Sequence, residues 1–215
     1  ATLGSIASRR GDFATAGAIW SRTLEIAGKR DNHRAVAGML SNLAVIDRRD
    51  GRIAEALAKN LDALAHIRLV KDPYIEATIL SSAAQLMFLE GRLEEALAHE
   101  KAALEIREGM GDRLGRSLSL SSLAEFMAES DPRTALDLLE NSLELAVELG
   151  DGVRQAQILI ARGRIMVGRG ETAAASDAAA MARNALSGLE NEQTLENLEK
   201  LEKEIEARRR GLEAH

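Results

Sequence analysis

A forty-residue repeat is the feature that most restricts what this chain can fold into. Arg10-Gly11-Asp12-Phe13-Ala14, Asp50-Gly51-Arg52-Ile53-Ala54 and Glu90-Gly91-Arg92-Leu93-Glu94 align without gaps, and their glycines stand 40 residues apart. A fourth copy falls at Ser130-Asp131-Pro132-Arg133, in a unit one residue shorter, and a fifth at Arg169-Gly170-Glu171-Thr172. A repeat of this length is one supersecondary unit that cannot bury its apolar face alone, so neighbouring units must stack.

The residues between the glycines keep the same phase. A small residue precedes each turn at constant distance (Gly4, Ala44, Ala84, Ala124, Gly163), and an alanine follows it (Ala16, Ala56, Ala96, Ala135, Ala175). Apolar residues recur at helical spacing, as in Ala56, Leu57, Leu61, Leu64 and Ile67, and no useful length alternates with period two. Each unit therefore reads as two antiparallel helices joined at a glycine, where a left-handed residue ends one helix and lets the next begin. Asp12 and Asp131 are expected to cap second helices, and Asp31, Asp72, Asp112 and Asp151 to cap the helices after the inter-repeat turns. Two prolines leave long helices unbroken, and with aromatics at 2% the core must be built from Ala, Leu, Ile and Met. The alanine-rich stretch at 173–180 is expected to be a tightly packed second helix.

This pattern resembles the tetratricopeptide repeat. Leu3-Gly4, Leu43-Ala44 and Leu123-Ala124 match the family's first-helix motif, Gly11-Asp12-Phe13 its turn, and Ala16, Trp20 and Thr23-Leu24 its second helix. The resemblance covers roughly residues 1–187. It departs from the usual form in its length, and in the loss of the mid-second-helix aromatic, where Asn60, Glu100 and Leu139 stand. Longer repeats of this kind resemble the sensor arrays of bacterial signalling proteins and the repeats of kinesin light chains. The resemblance implies an all-α, right-handed α-solenoid of about five hairpins, with turns near residues 11, 51, 91, 131 and 170.

Residues 1–190 are assigned to the array and 191–215 to a separate amphipathic helix. Leu195, Leu198, Leu201 and Ile205 form one stripe along this tail. It is expected to cap the last repeat; a coiled-coil homodimer through the same stripe is the alternative. Gly4 occupies a place that later units reach only after about a dozen residues, so the chain is expected to begin inside a helix of a longer parent.

Catalysis has no visible support. There is no Gly-x-Ser-x-Gly, no Walker loop and no His-Glu-x-x-His, and Gly109-Met110-Gly111-Asp112 falls at a repeat junction rather than after a strand. Without cysteine there is neither disulfide nor thiolate site, and His33, His66, His99 and His215 read as scattered surface residues, so no cofactor or metal is expected. No apolar run approaches the roughly 18 residues that cross a bilayer. A net charge of −6 disfavours direct nucleic-acid binding, and Arg208-Arg209-Arg210 reads as a solvated helix end. These features, with the high Ala, Gly and Arg content, point to a cytoplasmic, bacterial protein.

The resemblance further implies that first helices line a concave, peptide-binding groove. The aligned inward positions include Ser5, Ser8, Ser41, Asn42, Val45, Arg48, Arg49, Ser81, Ser82, Gln85, Phe88, Ser121, Ser122, Glu125, Ile160 and Arg164. The serines form a polar floor or allow close helix packing, and Phe88 is an exposed anchor or a core residue. Arg9, Arg10, Arg48 and Arg49 would attract acidic groups. The expected function is a protein- or peptide-binding scaffold, the sensor or interaction region of a larger bacterial regulatory protein; structural self-association is the alternative.

Overall fold

The computed structural model describes residues 2–213, so His215 lies outside the described residues. These fold into helices only, with no strand among them. The chain divides into two compact units, residues 2–110 and 111–213.

The first unit holds three hairpins: α1 (Thr2–Arg9) with α2 (Phe13–Gly28), α3 (His33–Arg49) with α4 (Ile53–Val70), and α5 (Pro73–Leu89) with α6 (Leu93–Met110). Gly11, Gly51 and Gly91 adopt φ of 80°, 80° and 76° at the hairpin turns, as the sequence pattern requires. The alanines of the pattern are closed off from solvent: Ala16, Ala56 and Ala96 on second helices, Ala44 and Ala84 on first helices. Consecutive helices pack against one another through this unit, and apolar side chains fill the space between them, among them Val36, Leu40, Leu64, Ile67, Ile79 and Leu80. Leu61, counted on the apolar stripe, stays exposed. Asn60 and Glu100, at the position usually held by an aromatic, are buried as deeply as Trp20.

One cap differs from expectation. The side chain that accepts the Ala35 N–H at the start of α3 belongs to Asn32, not Asp31. Asp31 instead takes the left-handed turn conformation, with φ 50°. Lys71 does the same before the Asp72 cap, with φ 55°. In the second unit glycines fill this place, Gly111 before Asp112 and Gly150 before Asp151.

The second unit holds two hairpins and a long final helix: α7 (Arg113–Met127) with α8 (Pro132–Glu148), α9 (Gly152–Gly168) with α10 (Thr172–Ala185), and α11 (Glu192–Glu213). Pro132 opens α8 behind the Asp131 cap, which shortens this repeat by a residue. Ala175, Ala178, Ala179 and Ala182 bury the face of α10, so the alanine-rich stretch is a packed second helix. The final helix lies against α9 and α10, with Leu198, Leu201 and Ile205 inside the core. Its cap, Asn191, accepts the Thr194 N–H. The series Asn32, Asp72, Asp112, Asp151 and Asn191 advances by 40, 40, 39 and 40 residues, so α11 stands where the first helix of a sixth repeat would.

Candidate functional site

In the first unit the predicted positions fall on α3 and α5. Asn42 and Gln85 are half-buried, and Val45 and Arg48 are exposed. Arg48 Nη1 donates to Gln85 Oε1 at 3.3 Å, joining the two first helices across the face. Phe88, one turn beyond Gln85, is half-buried. The serines behave differently. Ser81 Oγ donates to Glu100 Oε1 at 2.9 Å, inside its own hairpin. Ser41 Oγ is sequestered from solvent and has no hydrogen-bond partner. Ser81 thus turns its hydroxyl to the second helix of its hairpin, and Ser41's is closed off from solvent, so neither offers a free hydroxyl to the surface. Arg49 lies over the Phe13 ring at 3.8 Å, a cation–π contact that fixes the end of α3 against α2.

In the second unit Ser121 shares a 2.9 Å hydrogen bond with Ser142, and Ser117 joins the same cluster. Its hydroxyl is therefore spent within the α7–α8 hairpin. Ile160 is buried in the core and supplies no inward polar group. Glu125 and Arg164 interact electrostatically: the burial of Glu125's carboxyl pushes it above the usual range, and the Arg164 charge offsets part of that rise. Glu125 nonetheless keeps an exposed surface. Beside Arg164 an open pocket of about 530 Å³ is lined by Ala128, Pro132, Ile165 and Arg169.

Three polar arrangements were not foreseen from the sequence. His33 and His66 meet Nδ1 to Nδ1 at 2.8 Å with ring centres 5.0 Å apart, so these two are not scattered. One ring must donate and the other accept, which requires at least one neutral imidazole. No group of three or more metal-binding side chains occurs among the described residues. Asp47 is buried near the end of α3 and accepts from Arg52 Nη2 at 2.6 Å and Lys59 Nζ at 2.5 Å. Burial raises its carboxyl, but the Lys59 and Arg52 hydrogen bonds and charges together hold it below the usual range. The third, around Arg154, lies on the first-helix face of the second unit. His33 and His66 lie 18 and 15 residues on either side of Gly51, as antiparallel helices require, and that near-symmetry was the available signal.

These helical hairpins, repeated in phase and free of strand, define an all-α repeat solenoid. Residues 35–109 match the family model of the tetratricopeptide repeat. The crystal structure of BtubC (BKLC) from P. vanneervenii is similar over 93% of this chain and 91% of that one, with TM-score 0.72 at 19% identity. That of nearly identical TPR-like repeats from a kinesin light chain-like protein of Podosopora anserina is similar over 87% and 92%, with TM-score 0.71 at 15% identity. None of the curated proteins compared matches the sequence. Residues 35–109 thus match the tetratricopeptide repeat, and the chain as a whole has the fold of a TPR-like helical-repeat array with units of about forty residues. Arrays of this type generally act as non-catalytic scaffolds that bind proteins or peptides. No helix among the described residues is long and apolar enough to cross a membrane.

Proposed function

We propose that this array binds an extended segment of another protein on the face formed by its first helices, and that it is not itself an enzyme. The observation that carries the reading is the Arg48–Gln85 contact. Two polar side chains on successive first helices lie on the surface, spaced by one repeat and joined only weakly. Both remain able to exchange their mutual contact for a peptide's backbone groups. Asn42, Val45 and Phe88 extend this strip in the first unit, and Ser121, Glu125 and Arg164 form its counterpart in the second.

The forty-residue repeat, which resembles that of bacterial sensor arrays, supports a role as the interaction region of a larger bacterial regulatory protein in the cytoplasm. Photo-crosslinking residues placed at Gln85 or Glu125 should capture a partner, whereas the same groups at Lys101 or Glu144, on second helices, should not. Phe88→Ala should weaken capture most, because aromatic anchors dominate peptide interfaces. Arg48→Ala should weaken it less and in a salt-dependent way. Capture from Lys101 and Glu144 alone would place the partner on the opposite face and reject this assignment.

A further inference from the structure

Arg154 carries a charge that no ion pair among the described residues neutralises. It follows the Asp151 cap by three residues, where the other first helices have Ala35, Ile75, Gly115 and Thr194. Its Nη2 donates to the Ser117 carbonyl at 3.0 Å, and Nη1 reaches Gln157 Oε1 at 3.5 Å, the limit of a hydrogen bond. Its Nε is buried with no hydrogen-bond partner. No carboxylate lies within ion-pair distance of it among the described residues. Asp151, the nearest acid in sequence, accepts the Arg154 backbone N–H instead. The first turn of α9 is also the wrong end of a helix for a cation, and burial lowers the guanidinium's affinity for its proton, an effect the nearby Asp151 charge offsets only in part.

The surroundings say what kind of anion would fit. Ser117, whose carbonyl anchors the guanidinium, is followed by Leu118, which is 40% exposed; Leu114, one turn earlier on the same face of α7, is 47% exposed. On the other side Gln157 is exposed and its amide donates to Thr194 on α11 at 3.4 Å. A cation with no ion-pair partner thus rests on α7 at Ser117, next in sequence to one exposed leucine and within one turn of another, with the Gln157 amide at its own side.

On the reading that first helices form the binding face, we propose that Arg154 receives the side-chain carboxylate of an aspartate or glutamate in a bound peptide, whose aliphatic neighbours lie on Leu114 and Leu118. The carboxylate takes over Nη1 from the weak Gln157 contact in a charge-assisted hydrogen bond. The released Gln157 oxygen then accepts a peptide N–H.

The test uses three synthetic probes on the full chain. One is the acetylated, amidated heptapeptide Ser-Leu-Leu-Glu-Leu-Leu-Ser. The second has Gln for Glu, and the third is the Gln peptide with a free C-terminal carboxylate. Binding is followed by nuclear magnetic resonance at the Arg154 Nε–Hε signal. The Glu peptide should bind at least about tenfold more tightly than either Gln peptide and should shift that signal. Arg154→Met should remove the preference, and Arg133→Met, at an exposed position on the second helix α8, should keep it. Should Arg154→Met fail to fold, the wild-type comparison of Glu and Gln peptides at the same signal still decides.

Equal affinities, a preference that survives in Arg154→Met, or tightest binding of the free C-terminus would each overturn the proposal. Peptide binding without a Glu preference overturns this inference alone. No binding by any probe, with crosslinking from Gln85 and Glu125 also silent, overturns the binding face as well.

Discussion

Gly4 and Trp20 share one space. A Cβ on residue 4 would collide with the indole Nε1 and lie 2.8 Å from Cδ1. The largest side chain of the second-helix series is thus admitted by the smallest residue of the first-helix series. Gly4→Ala should destabilise the first hairpin, because overpacking costs about 1–3 kcal/mol while the gain in helix propensity is about 1 kcal/mol. Adding Trp20→Leu should make the Ala substitution harmless. A double-mutant cycle in urea checks this; simple additivity of the two effects would reject the shared space.

The analogous contact at Gly163 is softer. A Cβ there would lie 2.6 Å from Leu201 Cδ2, the end of a flexible side chain, so Gly163→Ala should cost less than Gly4→Ala. Leu201→Ala should cost about 2–5 kcal/mol, since Leu201 is fully buried. Amide exchange should then quicken across 152–185. Unchanged exchange there would count against α11 as a cap. The outer positions of α11 support that role. Where earlier first helices have the buried Leu80, Leu120 and Leu159, α11 has the exposed Glu199, and where they have Ala84, Ala124 and Gly163 it has the exposed Lys203. The repeat phase continues, but the face that would accept another helix is charged.

Lys71 sits at φ 55°, a conformation that costs a non-glycine residue about 1–2 kcal/mol. The second unit uses Gly111 and Gly150 at this place. Lys71→Gly should therefore leave stability unchanged or raise it by up to about 1 kcal/mol, after the entropy glycine adds to the unfolded chain. A thermal midpoint lowered by several degrees would show that the Lys71 side chain has a role of its own.

Asp47 gives the protein an acid limit. Its folded pKa lies below the unfolded value of 3.8, so its stabilisation is fully present above that value and is lost as pH falls through the lower folded pKa. Asp47→Asn should cost about 1–2 kcal/mol near neutral pH, a figure held down because Arg52 and Lys59 are partly exposed. The gap between wild type and variant should close below pH 4. A gap that stays constant to pH 3 would remove Asp47 from the account.

What the sequence determined was everything that depends on period and local backbone chemistry. The glycine spacing placed the hairpin turns, the alanine positions placed the helix contacts, and the Asp-capped starts of α5, α7, α8 and α9 followed from side chains reaching their own backbone three residues on. Asp31 and Asn32 exposed the limit of that reading: both can cap and both tolerate a left-handed turn, and only the path of the chain decided between them. The tertiary structure decided where polar side chains go. Ser81 and Ser121 turned toward Glu100 and Ser142, His33 found His66, and Arg154 came to rest against the Ser117 carbonyl, 37 positions away. A repeat pattern fixes which helices touch. The rotation of each helix within that contact depends on the packed volumes of all its neighbours, and a rotation of one residue's arc is enough to move a serine from the binding face to the hairpin interior.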